Sequence, residues 1–229
     1  MTLMQAYLKR KGDSVSPTNQ VDMAKTYAAL AAKTGDGAQK EKLFDKSQSF
    51  YLSAIKSADK QVDAIKELTS KTRSKLRMDL LQWKLELADM IFEKWASPQL
   101  NLMEITDRQQ GDREKVIKMV GTSLKHYRET LQDLNQWISE MDRSADFDEA
   151  FDNPEFYRDA LRLQRRSRYT MAWVTYYYAY VLPDNFKPAD GQRSRGVLLE
   201  TALTLIMEHA TIANDSLVRK WEASLLVGL

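Results

Sequence analysis

A run of aromatic side chains between positions 169 and 180 has the clearest capacity for chemistry. Helical spacing places positions 169, 173, 176 and 180 on one face, which we expect to lie in the core. Tyr177 and Tyr178 then point elsewhere, where they could form a stacking platform for a peptide or a sugar. Helix packing, with the phenol hydroxyls bonded to water or to a carbonyl, is the commoner use of such rings, and we favour it. The run consists of Tyr169, Trp173, Tyr176, Tyr177, Tyr178 and Tyr180.

Arginines precede this run in the same predicted helix. Arg158, Arg162 and Arg165 are spaced by four and three residues, so they share a face that could hold carboxylate or phosphate groups. An acidic segment lies just upstream, and the simplest interpretation is that the two clusters neutralise each other. The acidic segment could also hold calcium, but it lacks the glycine and the terminal glutamate of an EF-hand loop, so we favour a solvated loop. Its members are Asp142, Asp146, Asp148, Glu149, Asp152 and Glu155.

No set of residues has the spacing of a known active site. Cysteine is absent, which excludes disulfides, thiolate metal sites and cysteine nucleophiles. The two histidines, His126 and His209, lack the Glu-x-x-His spacing of a di-iron bundle. Asp107-Arg108 and Asp112-Arg113 flank Gly111 at a predicted helix start and could bind an anion there, although capping and local ion pairs explain them equally well. We therefore predict a non-catalytic protein that uses no cofactor and no metal.

The charge balance limits the choice of partner. The chain carries 34 basic and 32 acidic residues, a net charge of +2, whereas a protein that neutralises many phosphates carries a clear excess of Lys and Arg. Nucleic acid is therefore not expected as the main partner. The sequence as given opens without a basic and apolar leader, and its most apolar stretch, 171–182, is too short to span a bilayer. We expect no signal peptide and no membrane insertion.

Two stretches of the chain match each other 76 positions apart. The matched pairs are Gly35 and Gly111, Asp36 and Asp112, Lys42 and Lys118, Ser47 and Ser123, and Tyr51 and Tyr127. Repetition of a long helical unit is typical of stacked scaffolds. With only 8 Gly and 5 Pro in 229 residues, and no segment that alternates with period two, the sequence predicts helices and no sheet.

Local signals predict where the helices begin and end. Asp36 has the spacing of a capping residue, Asn153-Pro154-Glu155 is a strong helix start, and Ser97-Pro98 is expected to stop a helix. The hydroxyl-rich segment 69–72 is expected to be a turn. The predicted helices cover 3–11, 18–33, about 38–68, 73–96, 113–141, 154–182, 193–212 and 215–228.

A helix, a Gly-Asp turn and a second helix with tyrosine and small residues resemble the tetratricopeptide (TPR) repeat. The matching residues are Tyr27-Ala28-Ala29-Leu30, Thr34-Gly35-Asp36, Phe44, Ser47, Tyr51 and Ala54, followed later by Trp173, Tyr176, Tyr177 and Tyr180. The resemblance implies an all-α, TPR-like α-α superhelix of long antiparallel hairpins without β-sheet. The hairpins would be 18–69, 73–143 and 154–212, with an unfinished unit at 215–229, all in a single domain 1–229. The period of 76 departs from the 34 residues of TPR repeats.

The stretch from Trp83 to Arg113 also resembles large repeat proteins of unknown function from planctomycete bacteria. That resemblance implies an exported or periplasmic location for a full-length protein. Because 215–229 reads as half of a hairpin, we expect a fragment of a longer solenoid, or an end covered by a partner or by a second copy.

The predicted function is a non-catalytic protein–protein interaction scaffold built from helical repeats. Tyr177, Tyr178, Arg158, Arg162 and Arg165 are its candidate partner-binding residues. One alternative is a structural subunit of a larger assembly, such as one in the cell envelope. The C-terminal helix could then also form a homo-oligomer. A ligand-binding or enzymatic domain that uses the 169–180 region is the third interpretation.

Overall fold

The structure is a computed structural model, and it describes residues 15–66, 71–100, 110–143, 154–183, 186–188 and 193–212. Every element in these ranges is helical and none is a strand, so the predicted all-α class is confirmed. The predicted helices 3–11 and 215–228 lie outside the described residues. The elements are α1 (Pro17–Lys33), α2 (Gly37–Ala64), α3 (Lys71–Asp89) with its π-helical continuation (Met90–Ala96), α4 (Gln110–Arg143), α5 (Pro154–Val181) and α6 (Arg195–Ile212).

Short polar side chains fix the starts of the first two helices. The Ser16 hydroxyl accepts a hydrogen bond from the Asn19 amide at 3.3 Å, and Pro17 occupies the first helical position. The Asp36 carboxylate accepts from the amides of Ala38 and Gln39, so its predicted capping role is confirmed. Each cap satisfies amides that have no partner within the helix.

The chain forms two compact units, Met1–Leu87 and Ala88–Leu229, and the division falls within α3. In the first unit α1 packs against α2 across a three-residue connection, 34–36, which makes the two helices antiparallel neighbours. Lys25 of α1 forms an ion pair with Glu86 of α3 at 3.0 Å. The core of the α1–α2 pair is rich in small side chains and contains Ala24, Ala28, Ala31, Phe44, Ser47, Tyr51, Ala54, Ala58 and Val62.

In the second unit α5 packs between α4 and α6. Gln164 of α5 donates to Asn135 of α4 at 2.6 Å, and Tyr157 donates to Asp142 at 2.8 Å. Residue numbers therefore increase along α5 in the direction in which they decrease along α4, so the two helices are antiparallel. Helix α6 is likewise antiparallel to α5, because Ala172 packs with Ile206 and Ala179 packs with Leu198.

The serines matched in the sequence make equivalent hydrogen bonds. Ser47 of α2 donates to the carbonyl oxygen of Ala24 on α1 at 2.8 Å. Ser123 of α4 donates to the carbonyl oxygen of Ala88 on α3, also at 2.8 Å. Both serines are fully buried, and both acceptors belong to alanines. A hydroxyl on one helix can reach a backbone oxygen on the next only where small side chains let the two helices approach closely.

Several predicted boundaries require correction. Helix α3 begins at Lys71, inside the predicted turn 69–72, and α4 begins at Gln110, three residues before the predicted start, so Gly111 lies within the helix. The helix that begins at Lys71 does not stop at Ser97-Pro98, because helical structure continues through position 100. In the π-helical segment the Ser97 amide bonds to the carbonyl of Phe92, five residues back. Proline lacks an amide hydrogen and its ring clashes with the carbonyl four residues before it, and the wider π turn provides room for that ring. Helix α2 ends at Ala64, a few residues before the predicted position 68.

We expect Ser47→Ala and Ser123→Ala each to lower the free energy of unfolding by about 1 kcal/mol, because each removes a buried interhelical hydrogen bond. Urea denaturation would measure the loss. Ser53→Ala is the matched control, because Ser53 lies on α2 but is exposed, and alanine is the better helix former there. Equal effects of Ser47→Ala and Ser53→Ala would contradict the assigned role of the buried serine.

Candidate functional site

A charged cluster joins three helical segments of the second unit. Its centre is Asp89, the last residue of α3, whose side chain is only 14% exposed. The Tyr127 hydroxyl of α4 donates a hydrogen bond to one carboxylate oxygen. The Arg166 guanidinium of α5 donates to the other at 2.8 Å. Asp89 therefore ties α4 and α5 to the start of the π-helical segment.

The electrostatics of this cluster favour a fixed arrangement of protons. Burial raises the pKa of Tyr127 far above its ordinary value, and the charge and hydrogen bond of Asp89 raise it further. The phenol therefore stays protonated and acts as a hydrogen-bond donor. Partial desolvation raises the pKa of Glu93, and Asp89 adds to that rise while Lys94 and Arg166 oppose it. A neutral phenol and a paired carboxylate suit a structural anchor better than a nucleophile.

Four aromatic side chains form a row along α5, which we call the ring stripe: Tyr169, Trp173, Tyr176 and Tyr180. The Tyr169 and Trp173 rings meet edge to face at 6.5 Å, whereas the Tyr176 and Tyr180 rings stack at 6.4 Å. Trp173 also meets the edge of Tyr176 at 6.4 Å. Each ring thus restricts the rotamers of its neighbours, and the stripe is an ordered surface.

The expectation that this face of α5 is core is wrong. Tyr180 is 45% exposed, and the other three rings are half-buried. The buried face of α5 instead consists mostly of small or short side chains: Ala160, Leu163, Ser167, Met171, Ala172, Val174, Thr175 and Ala179. Because small side chains let α4 and α6 approach closely, little space is left between the helices for the four rings of the stripe.

Tyr177 and Tyr178 are both half-buried and have different surroundings. Tyr177 contacts the Phe92 ring of the π-helical segment at 5.7 Å and stacks on Trp173 at 6.2 Å. Tyr178 lies over Gly121 of α4, where an added Cβ would come within 3.2 Å of the ring. Tyr178 also packs against the buried cluster that includes Ala179. Helix packing, the interpretation favoured from sequence, therefore describes Tyr178.

The three predicted arginines are all exposed on α5, and we call them the arginine stripe: Arg158, Arg162 and Arg165. Arg162 lies 3.2 Å from Asp159, and both of these side chains are largely in solvent. Within the described residues, Arg158 and Arg165 form no ion pair. The predicted neutralisation and the less favoured calcium site both depend largely on residues 146–152, which lie outside the described residues.

Arg113, a candidate for anion binding, has a different role. Its Nε donates to the carbonyl of Val181 at 2.9 Å, and its Nη2 donates to that of Leu182 at 3.4 Å. These are carbonyls at the end of α5, where a cation also complements the helix dipole. Arg113 therefore fixes the C-terminal end of α5, while the neighbouring candidates Asp107 and Arg108 lie outside the described residues.

Metal ligands are not grouped in the part of the chain that the structure describes, where no three His, Asp or Glu residues could hold one ion. His126 is 3.8 Å from Glu129 on the same helix, at a distance suited to a local pair. The side chain of His209 lies outside the described residues. Among the described helices, none combines the length and the apolar character needed to cross a membrane.

No protein-family model, curated protein or solved structure matches this chain. The TPR-like relationship and the resemblance to planctomycete proteins therefore stay predictions.

We expect Tyr127→Phe to lower the free energy of unfolding by about 1.5–3 kcal/mol, because it removes a buried hydrogen bond to a charged acceptor. Tyr157→Phe is the matched control, since Tyr157 also donates to an aspartate, Asp142, but at an exposed position. Its loss should be below about 1 kcal/mol. Equal losses for the two variants, measured by urea denaturation, would contradict the role of Asp89 as an anchor.

Proposed function

We propose that this chain is a non-catalytic scaffold for protein–protein interaction and that the ring stripe of α5 binds the partner. The supporting observation is the exposure of Tyr180 together with the half-burial of Tyr169, Trp173 and Tyr176. Tyrosine and tryptophan offer large contact areas with few rotatable bonds, and both are enriched among residues that dominate binding energy at interfaces. A row of such rings left in contact with water favours a partner that covers them.

The rigidity of α5 supports this proposal. Arg113 holds its C-terminal end, Asp89 holds its middle through Arg166, and Asn135 bonds to Gln164 nearer the N-terminus. A surface that is already ordered loses less conformational entropy when a partner binds. We also propose that the helices form a TPR-like array of hairpins, since the equivalent bonds of Ser47 and Ser123 support a repeated unit.

The second candidate function, a structural subunit of a larger assembly, is favoured by one observation on α6. This helix packs on α5 through Leu198, Ala202 and Ile206, all buried. Four other apolar side chains of this helix, Val197, Leu199, Leu203 and Met207, are between 38% and 52% exposed. A helix that is apolar on all sides is usually covered on all sides. A neighbouring subunit would bury this face.

Site-specific photo-crosslinking separates the two functions. A photoreactive phenylalanine replaces Tyr180, Leu203 or, as a control, the exposed Lys125 of α4, and each protein is irradiated in extract of the cells that make it. We expect Tyr180 to give an adduct with one protein species. Excess unlabelled wild type should suppress that adduct, and excess Trp173→Ala/Tyr176→Ala should not.

The three positions give distinct outcomes. Adducts that arise at Leu203 and not at Tyr180 would favour the structural subunit and contradict the role of the ring stripe. Equal adducts at Tyr180 and Lys125, or equal competition by the stripe variant, would also contradict it.

A further inference from the structure

We infer that the partner presents a segment with acidic residues at one end and apolar residues at the other, laid lengthwise along α5. This inference rests on the proposed function and specifies its partner. The arginine stripe and the ring stripe continue each other, because positions 158, 162, 165, 169, 173, 176 and 180 are separated by three or four residues throughout. They form one face of a single helix. At 1.5 Å per residue, this face is about 33 Å long.

The N-terminal half of this face recognises carboxylates. Arg158, Arg162 and Arg165 are exposed and lie one turn apart, so their guanidinium groups are available to a bound segment. Each guanidinium can bind a carboxylate with two parallel hydrogen bonds. The nearby Asp159 offsets only part of this charge, because within the described residues it forms an ion pair with Arg162 and with neither Arg158 nor Arg165. Acidic side chains of the partner therefore lie over positions 158–165.

The C-terminal half of the same face recognises apolar groups. The Tyr176 and Tyr180 rings stack within 20° of parallel, and Trp173 stacks on Tyr177, so flat ring surfaces line the helix. The two arginines that directly precede the ring stripe and lie off its face are both paired, Arg166 with Asp89 at 2.8 Å and Arg168 with Glu208 at 4.0 Å. Aliphatic or aromatic side chains of the partner therefore lie over positions 169–180.

Separation of charge from rings along the helix axis favours a polypeptide over a nucleic acid. Every base of a single strand is accompanied by a phosphate, so a surface that binds such a strand places cations beside its stacking rings. On α5 the cations and rings occupy opposite halves. A membrane surface is also a poor fit, because a helix that lies on a bilayer has its charged and apolar residues on opposite faces. Here both kinds of residue share one face.

Two designed helical peptides of equal composition test the inference. Each has about 24 residues, enough to cover the whole face as a helix. The segregated peptide has glutamates in one half and leucine and tryptophan in the other, whereas the interleaved peptide alternates them. We expect the segregated peptide to bind the full chain at least about tenfold more tightly by fluorescence anisotropy, because only it can satisfy both halves at once.

Charge reversal provides the matched control. Arg158→Glu/Arg162→Glu/Arg165→Glu should weaken binding of the segregated peptide by at least about tenfold, and replacement of the peptide's glutamates by lysine should restore it. Lys42→Glu/Lys56→Glu/Lys60→Glu changes the net charge equally at exposed positions of α2, and it should leave binding nearly unchanged.

Several results would overturn the inference. One is equal binding of the two peptides. Another is no effect of arginine reversal on peptide binding, as expected if the chain's own acidic residues already occupy the arginines. A third is tighter binding of an oligothymidine strand, or of vesicles rich in phosphatidylserine, than of the segregated peptide. If the adduct at Tyr180 forms and arginine reversal leaves it unchanged, the inference fails and the scaffold proposal stands. Absence of a specific adduct from the photoreactive residue at position 180, in the protein with its arginine stripe unaltered, would instead contradict the scaffold proposal.

Discussion

The close approach of α5 to its two neighbours determines which of its residues can be buried. At the contact with α4, Gly121 leaves just enough space for the edge of Tyr178, since even a methyl group there would come within 3.2 Å of the ring. At the contact with α6, Ala172 and Ala179 are completely buried. Helices that meet through such small residues leave little room for further large side chains in the interface. The four rings of the stripe therefore lie on the outer face of α5, and the proposed binding surface is a consequence of this packing.

Charged groups then fix the position of α5 along its axis. Asp89 accepts from Tyr127 on one side and from Arg166 on the other, so one carboxylate sets the relative positions of α4 and α5. Burial of a carboxylate is unfavourable unless both of its oxygens have partners, and here both do. Arg113 adds a second fixed point at the end of α5. Because sliding or rotation of α5 would break these bonds, the arginine and ring stripes keep a constant orientation.

Local features of the sequence predicted local structure well. The Asp36 cap and the start at Pro154 depend on residues within one turn, and both are found where expected. The repeat identified Ser47 and Ser123, whose bonds proved equivalent. In contrast, helical periodicity showed that positions 169, 173, 176 and 180 share a face but could not reveal which face is inside. That depends on Gly121 and on α6, which are distant in sequence. Asp89 was not identified for the same reason, since Arg166 lies 77 residues away.

The proposed function depends on the outward orientation of the ring stripe, and hydroxyl-radical footprinting read by mass spectrometry measures that orientation most directly. Exposed rings react readily with the radical, whereas buried rings are protected. Tyr180 is 45% exposed, while Tyr51 and Tyr127 are 3% and 1% exposed. We expect rapid modification of Tyr180 and strong protection of Tyr51 and Tyr127 in the folded chain. Protection of Tyr180 to the level of Tyr127 would show that this face of α5 is core and would contradict the outward orientation of the ring stripe.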